Sequence, residues 1–252
     1  MIVTDEAIIL HSRKFSETSK ILTVYSLQHG KLSLIAKGAR NPKSKFGASL
    51  EALNHSTLTI YKKSQRDLHL LSKAETTVPL RRLAEDYDRL TIGLAIAELV
   101  SVTQELEEVN APIFRLLAST LELLNSASGN EYALLVAFQI RLAEIMGFAP
   151  NFLICFETGE RVVPLEKGEF IFSITDGSVM SPEIGQYREG FRFEPQTLHI
   201  LQRLSECPIA ETLNYELTEL QKSHIHDFFA QYFGFHLDRR FHYRTSKLIL
   251  QQ

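Results

Sequence analysis

Cysteine is scarce in this chain, and long apolar runs are missing. Two cysteines in 252 residues, Cys155 and Cys207, cannot by themselves make a disulfide framework or a four-cysteine metal site. No stretch approaches the roughly 20 uninterrupted apolar residues of a membrane helix, so no membrane partner is expected. Residues 1–6 carry neither the basic nor the apolar segment of a signal peptide, and the expectation is a cytoplasmic (nucleoid-associated) chain. Neither G-x-x-x-x-G-K-[ST] nor G-x-G-x-x-G occurs, so nucleotide-driven chemistry has no visible phosphate cradle. G-x-S-x-G and H-E-x-x-H are missing too. With no nucleophile, metal or cofactor signature, the chain reads as a non-enzyme without cofactors. A hydrophobic share of 44% excludes disorder and is ample for packed cores.

Acidic residues are missing from one long segment. From Thr18 to Leu50 there is none, whereas Lys20, Lys31, Lys37, Arg40, Lys43 and Lys45 all fall there. Residues 1–82 hold 14 Lys+Arg against 6 Asp+Glu, a net of +8; the remaining 170 hold 13 against 24, a net of −11. A basic front and an acidic remainder point to a polyanion met by the first part only.

Hydrophobic periodicity divides the chain at about the same place. Residues 5–12, 21–27, 31–36, 58–61 and 68–71 read as short strands, with a tight turn at Gln28-His29-Gly30 and a basic Gly/Pro/Ser-rich loop from Gly38 to Gly47. Five strands in about 75 residues predict a small closed β-barrel. Beyond Leu80 the period becomes helical: one long helix over 83–106, then 113–124, 131–146, 195–204, 218–235 and a basic tail helix over 237–250. Residues 150–195 form an irregular insert with short β-like pieces. The fold class is therefore α+β, with a barrel over 1–79 and an all-α helical domain over 80–252.

Single-stranded nucleic acid needs cations along its phosphates and π-faces for its bases. Arg13, Lys14, Lys37, Arg40, Lys43 and Lys45 are the proposed phosphate contacts. Phe15 and Phe46 remain open as stacking platforms, while the alternation around Tyr25 puts it in the barrel wall. Cys155 opens Cys155-Phe156-Glu157-Thr158-Gly159, where a zinc knuckle would have a second cysteine at position 158. Thr158 supplies no thiolate, so no metal is expected. Arg141, between Phe138 and Leu142, reads either as a snorkelling or salt-bridged side chain or as a cation beside an apolar pocket, suited to a partner's terminal carboxylate.

Phe15-Ser16-Glu17-Thr18-Ser19-Lys20, His29-Gly30-Lys31 and Ala36-Lys37-Gly38-Ala39-Arg40, in that order and with those gaps, resemble the N-terminal domain of the RecO family of bacterial recombination mediators. Gly147-Phe148-Ala149-Pro150-Asn151 followed by Cys155 and Gly159 resembles the family's entry into a zinc-binding insert, and Tyr232 … His236-Leu237 … Arg240 … Ser246-Lys247 its last helix. The resemblance implies an OB-fold followed by a helical domain, binding of single- and double-stranded DNA, strand annealing, and no nucleotide hydrolysis. It also implies RecR and SSB, whose acidic C-terminal tail docks on the helical domain, as partners in loading RecA; Arg141, from the residue reading above, is the candidate partner contact. Some members carry four zinc-binding cysteines; here only Cys155 stands in such a position. The rival expectation is a protein-docking adaptor whose helical domain carries the function and whose barrel leaves DNA alone.

Overall fold

The structure, a computed structural model, describes residues 1–63, 66–164, 168–181, 189–238, 240, 241, 243 and 245. The chain forms two compact units, residues 1–126 and 127–252.

Five strands close a barrel in the first unit: β1 (Ile2–Lys14), β2 (Lys20–Ser26), β3 (Gly30–Ala36), β4 (His55–Tyr61) and β5 (Leu68–Val78), in the order β1-β2-β3-β5-β4. The 13-residue β1 is long enough to pair twice, its first half with β4 and its second with β2; Ile8 faces both His55 and Tyr25. A bulge between Ile9 and His11 bends the strand around the barrel. Parallel pairing of β3 with β5, Ser33 to Leu68 through Ile35 to Leu70, closes the ring. This is the OB-like arrangement. The strict alternation of β3 sends Leu32, Leu34 and Ala36 inward, where they meet Leu22, Val24, Leu58, Ile60 and Leu71. Phe46 and Leu50, from the β3–β4 connection, enter the same core.

Gly30 makes the β2–β3 turn possible. Its φ is +65°, and a Cβ there would lie 2.0 Å from the carbonyl oxygen of Glu108. Both the left-handed backbone and the close approach require glycine.

Helices α1 (Arg81–Glu85), α2 (Tyr87–Thr103) and α3 (Ala111–Ser126) complete the first unit. The single helix expected over 83–106 is thus two helices and an extended segment. Asp86 adopts extended backbone and its carboxylate accepts from the N–H groups of Asp88 and Arg89, so it caps α2 and breaks the chain from α1. After Thr103 the chain turns back along the barrel, with Leu106 bridging Lys31.

The second unit holds α4 (Glu131–Ile145), α5 (Pro195–Glu206), α6 (Glu219–His236) and a small sheet ordered β7-β6-β8, with β6 Phe170–Ser173, β7 Ser178–Val179 and β8 Phe191–Phe193. Apolar on nearly every side, α4 is a core helix. A Thr218/Gln221 capping box starts α6. The insert is packed onto it by rings: Phe172 and Phe193 lie 4.9 and 5.0 Å from Phe228, and Phe152 lies 5.3 Å from Phe172. Most of the tail helix expected over 237–250 lies outside the described residues.

Candidate nucleic-acid interface

Two connections carry the expected phosphate contacts, and Arg40 joins them. The β1–β2 turn closes with Phe15 N–H donating to the Ser19 carbonyl at 3.1 Å. Arg40 donates its backbone N–H to the Thr18 carbonyl at 3.0 Å, and its Nη1 to the Ser16 carbonyl at 2.6 Å. The β3–β4 connection is therefore fastened to the β1–β2 turn although 24 residues separate Ser16 from Arg40. It then folds through consecutive turns, Asn41 N–H to the Gly38 carbonyl at 3.2 Å and Ser44 N–H to the Asn41 carbonyl at 2.9 Å. Phe46 anchors its far end in the barrel core, 3% exposed. This ring plugs the barrel and offers no face to a base. Phe15, 55% exposed at the turn, keeps a free face.

Arg13, Lys14, Lys37, Arg40, Lys43 and Lys45 are all exposed. Among the described residues, Arg13, Lys14, Lys37 and Lys43 have no carboxylate within ion-pair distance. Three further cations of the first unit are neutralised: Lys20 by Glu51 at 2.8 Å, Lys62 by Glu107 at 2.9 Å and Lys73 by Glu75 at 2.7 Å. Lys45 lies over the ring of its neighbour Phe46, 5.2 Å from the centroid. Arg13 and Lys14 are consecutive in β1 and point to opposite sides of the strand, so one groove does not receive both.

Lys37 stands instead with two cations that the sequence reading left out of the interface. With Lys63, Arg66 and the carboxylate of Asp67 from the β4–β5 connection, and with Ile35, Leu68 and Leu70 beneath, it lines a groove of ≈ 500 Å³. The signal for Lys63 and Arg66 was weak, because the acid-free segment stops at Leu50. Parallel closure of β3 against β5 brings them to Lys37.

Tyr25 lies in the barrel wall, fully buried, and its hydroxyl donates to Gln104 Oε1 and to the Asn110 carbonyl, both at 3.3 Å. Burial, and after it the nearby Glu108 carboxylate, pushes its phenol up to about 12.

Residues 1–80 match the family described as "Recombination protein O N terminal", and residues 84–245 match "Recombination protein O C terminal". The chain belongs to the RecO family. Relatives named DNA repair protein RecO include one from Chloroherpeton thalassium, 28% identical over 100% of this chain and 99% of its own length. Another, from Pelodictyon phaeoclathratiforme, is 35% identical over 73% of this chain and 72% of its own. One from Salinibacter ruber is 36% identical over 71% of this chain and 66% of its own. As a RecO-family chain it is a DNA repair and recombination protein, a non-enzymatic mediator. No helix of the described residues is long and apolar enough to cross a membrane.

In the insert of this RecO-family chain, Cys155 is fully buried. Burial pushes its thiol up, but N–H groups of Thr158, Ser181 and Glu157 and the Thr158 side chain turn toward the sulfur, and the net shift is downward. The Ser181 N–H lies 3.4 Å from Sγ. Among the described residues, no group of three or more His, Cys, Asp or Glu side chains is placed to hold a metal ion. The neighbouring rings pack this part of the chain. Arg141, half-buried on α4, donates from Nη2 to the carbonyls of Cys207 at 2.8 Å and Leu204 at 3.4 Å, where it complements the C-terminal end of α5.

Proposed function

We propose that the barrel of this RecO-family chain binds DNA strands on its cationic connections and holds complementary strands for annealing. The observation that carries this reading is the set of exposed cations without carboxylate partners among the described residues, Lys14, Lys37 and Lys43, around a connection fastened by Arg40 and beside the exposed ring of Phe15. Cations that no protein carboxylate neutralises release counterions when they meet phosphates, and Phe15 adds a stacking face. Arg40 and Lys45 contribute from the same connection, Arg40 by holding it to the β1–β2 turn, and Arg13 contributes from the side of β1 opposite to Lys14. Annealing follows from the same charge, because neutralised phosphates repel a second strand less.

The resemblance extends the reading to a cytoplasmic mediator that works with RecR and with the SSB tail in loading RecA. Arg141 is the proposed contact for that tail; both of its bonds leave from Nη2, and the guanidinium has further N–H groups for a carboxylate.

The test is oligothymidine binding by fluorescence anisotropy across a salt series, for the unaltered chain and for Lys14→Glu/Lys43→Glu. Binding should weaken with salt by a log–log slope of about −0.7 per neutralised phosphate, and the double variant should lose most of it with its thermal midpoint unchanged. Equal affinity in the double variant would move the interface elsewhere and favour the adaptor.

A further inference from the structure

Given the DNA-binding barrel proposed above, we propose that Glu107 is a positioning residue that holds Lys63 beside Lys37 and Arg66, so that their groove receives one phosphodiester segment of a bound strand.

Glu107 reaches the barrel from outside it. The segment after α2 runs back along β3, with Glu107 N–H donating to the Lys31 carbonyl at 2.9 Å. There the backbone of Glu107 is left-handed, φ +60°. A non-glycine residue stays in that region only where its surroundings over-determine it, and such positions concentrate at working sites. This one is tethered by its backbone N–H on Lys31 and by its carboxylate. Oε1 meets Nε2 of His69 at 2.9 Å, and Oε2 meets Nζ of Lys62 at 2.9 Å. These two residues bracket the β4–β5 connection.

The bracket continues into the groove. His69 is 1% exposed, and its Nδ1 receives the backbone N–H of Lys63 at 3.4 Å. A ring nitrogen that accepts there leaves the proton on Nε2, which donates to Glu107. One carboxylate thus orients an imidazole, and that imidazole orients the backbone of Lys63. Lys62 is held from a second side, exchanging backbone hydrogen bonds with Met1 at 2.9 Å in both directions. With Lys62 neutralised, the charges lining the groove are those of Lys37, Lys63 and Arg66 against the carboxylate of Asp67, a net positive lining over Ile35, Leu68 and Leu70. A volume of ≈ 500 Å³ lies in the range of small-ligand pockets, about 300–1,000 Å³. Phosphates would meet the cations, and sugar and base edges the apolar floor.

The experiment turns on sign. Removing an acid near a polyanion site should tighten binding if charge alone matters; removing a positioning acid should weaken it. We expect Glu107→Ala to weaken oligothymidine binding about two- to fivefold, as the loss of a partly exposed ion pair converts. Glu105→Ala, an exposed neighbour on the same segment, should not weaken it. In a Lys63→Ala/Arg66→Ala background, already weaker, Glu107→Ala should have no further effect, which a general loss of stability would not produce. Glu107→Gln, which keeps an acceptor for His69, serves if the alanine variant folds poorly and should fall between. Unchanged or tighter binding by Glu107→Ala, or an equal loss in the Lys63→Ala/Arg66→Ala background, overturns the proposal. A Lys63→Ala/Arg66→Ala protein that binds like the unaltered chain overturns the groove alone. An unaltered chain without salt-dependent binding overturns the DNA-binding barrel and the groove with it.

Discussion

The guanidinium of Arg40 donates to the backbone carbonyl of Ser16 at 2.6 Å, so a cation of the most basic connection holds two loops together. Lys43, three residues on, is exposed and has no carboxylate partner among the described residues. Two cations that look alike in the sequence therefore do different work.

Salt dependence separates them. Lys43→Ala should make the log–log salt slope of single-strand binding shallower by about 0.7, the share of one phosphate. Arg40→Ala should lose affinity with a smaller change in slope and lower the stability of the fold by roughly 1 kcal/mol. Arg40→Lys keeps the charge but not the planar donor, and should recover little of the loss. Anisotropy titrations across a salt series, with urea unfolding alongside, read all three.

The two phenylalanines at the ends of this surface should divide in the opposite way. Phe46 fills the barrel core, and Phe46→Ala should destabilise the chain by about 3–5 kcal/mol. Phe15 is exposed, and Phe15→Ala should leave stability within about 0.5 kcal/mol. If it stacks on a base, binding should weaken by about 1–3 kcal/mol. Denaturant midpoints and oligothymidine affinities for the two variants make the comparison.

Alkaline pH should loosen the barrel through Tyr25. Its phenol ionises at about 12 in the fold, raised by burial and then by Glu108, against about 10 in an unfolded chain. A raised value means that the fold favours the protonated form. The contribution is complete below pH 10 and is lost as pH rises from there through about 12. Tyr25→Phe gives up two hydrogen bonds and should start lower, but its urea midpoint should fall less between pH 9 and 12. A decline as steep as that of the unaltered chain would assign it to other groups.

Much of the barrel was legible because a strand's period is short. Alternation in residues 31–36 already separates Leu32, Leu34 and Ala36 from Lys31, Ser33 and Ile35, and β3 buries the first set more deeply. The helical run over 83–106 misled, because its apolar content conceals that Asp86 serves as an N-cap and that residues after Thr103 are extended. Nor did the sequence show that α1–α3 pack in the same compact unit as the barrel: the two family matches change over between residues 80 and 84, whereas the compact units meet at 126.

By itself the sequence determined which third of the molecule is cationic, that five short strands precede the helices, and the family likeness that the matches bear out. Composition and local periodicity carry those properties, and both survive without knowledge of who touches whom. Only the tertiary structure decided which cations stay unneutralised. Lys20 meets Glu51 from 31 residues away, and His69 meets Glu107 across 38. Such pairs form when strand register and loop closure bring distant backbone together, and no local pattern of residues encodes that distance.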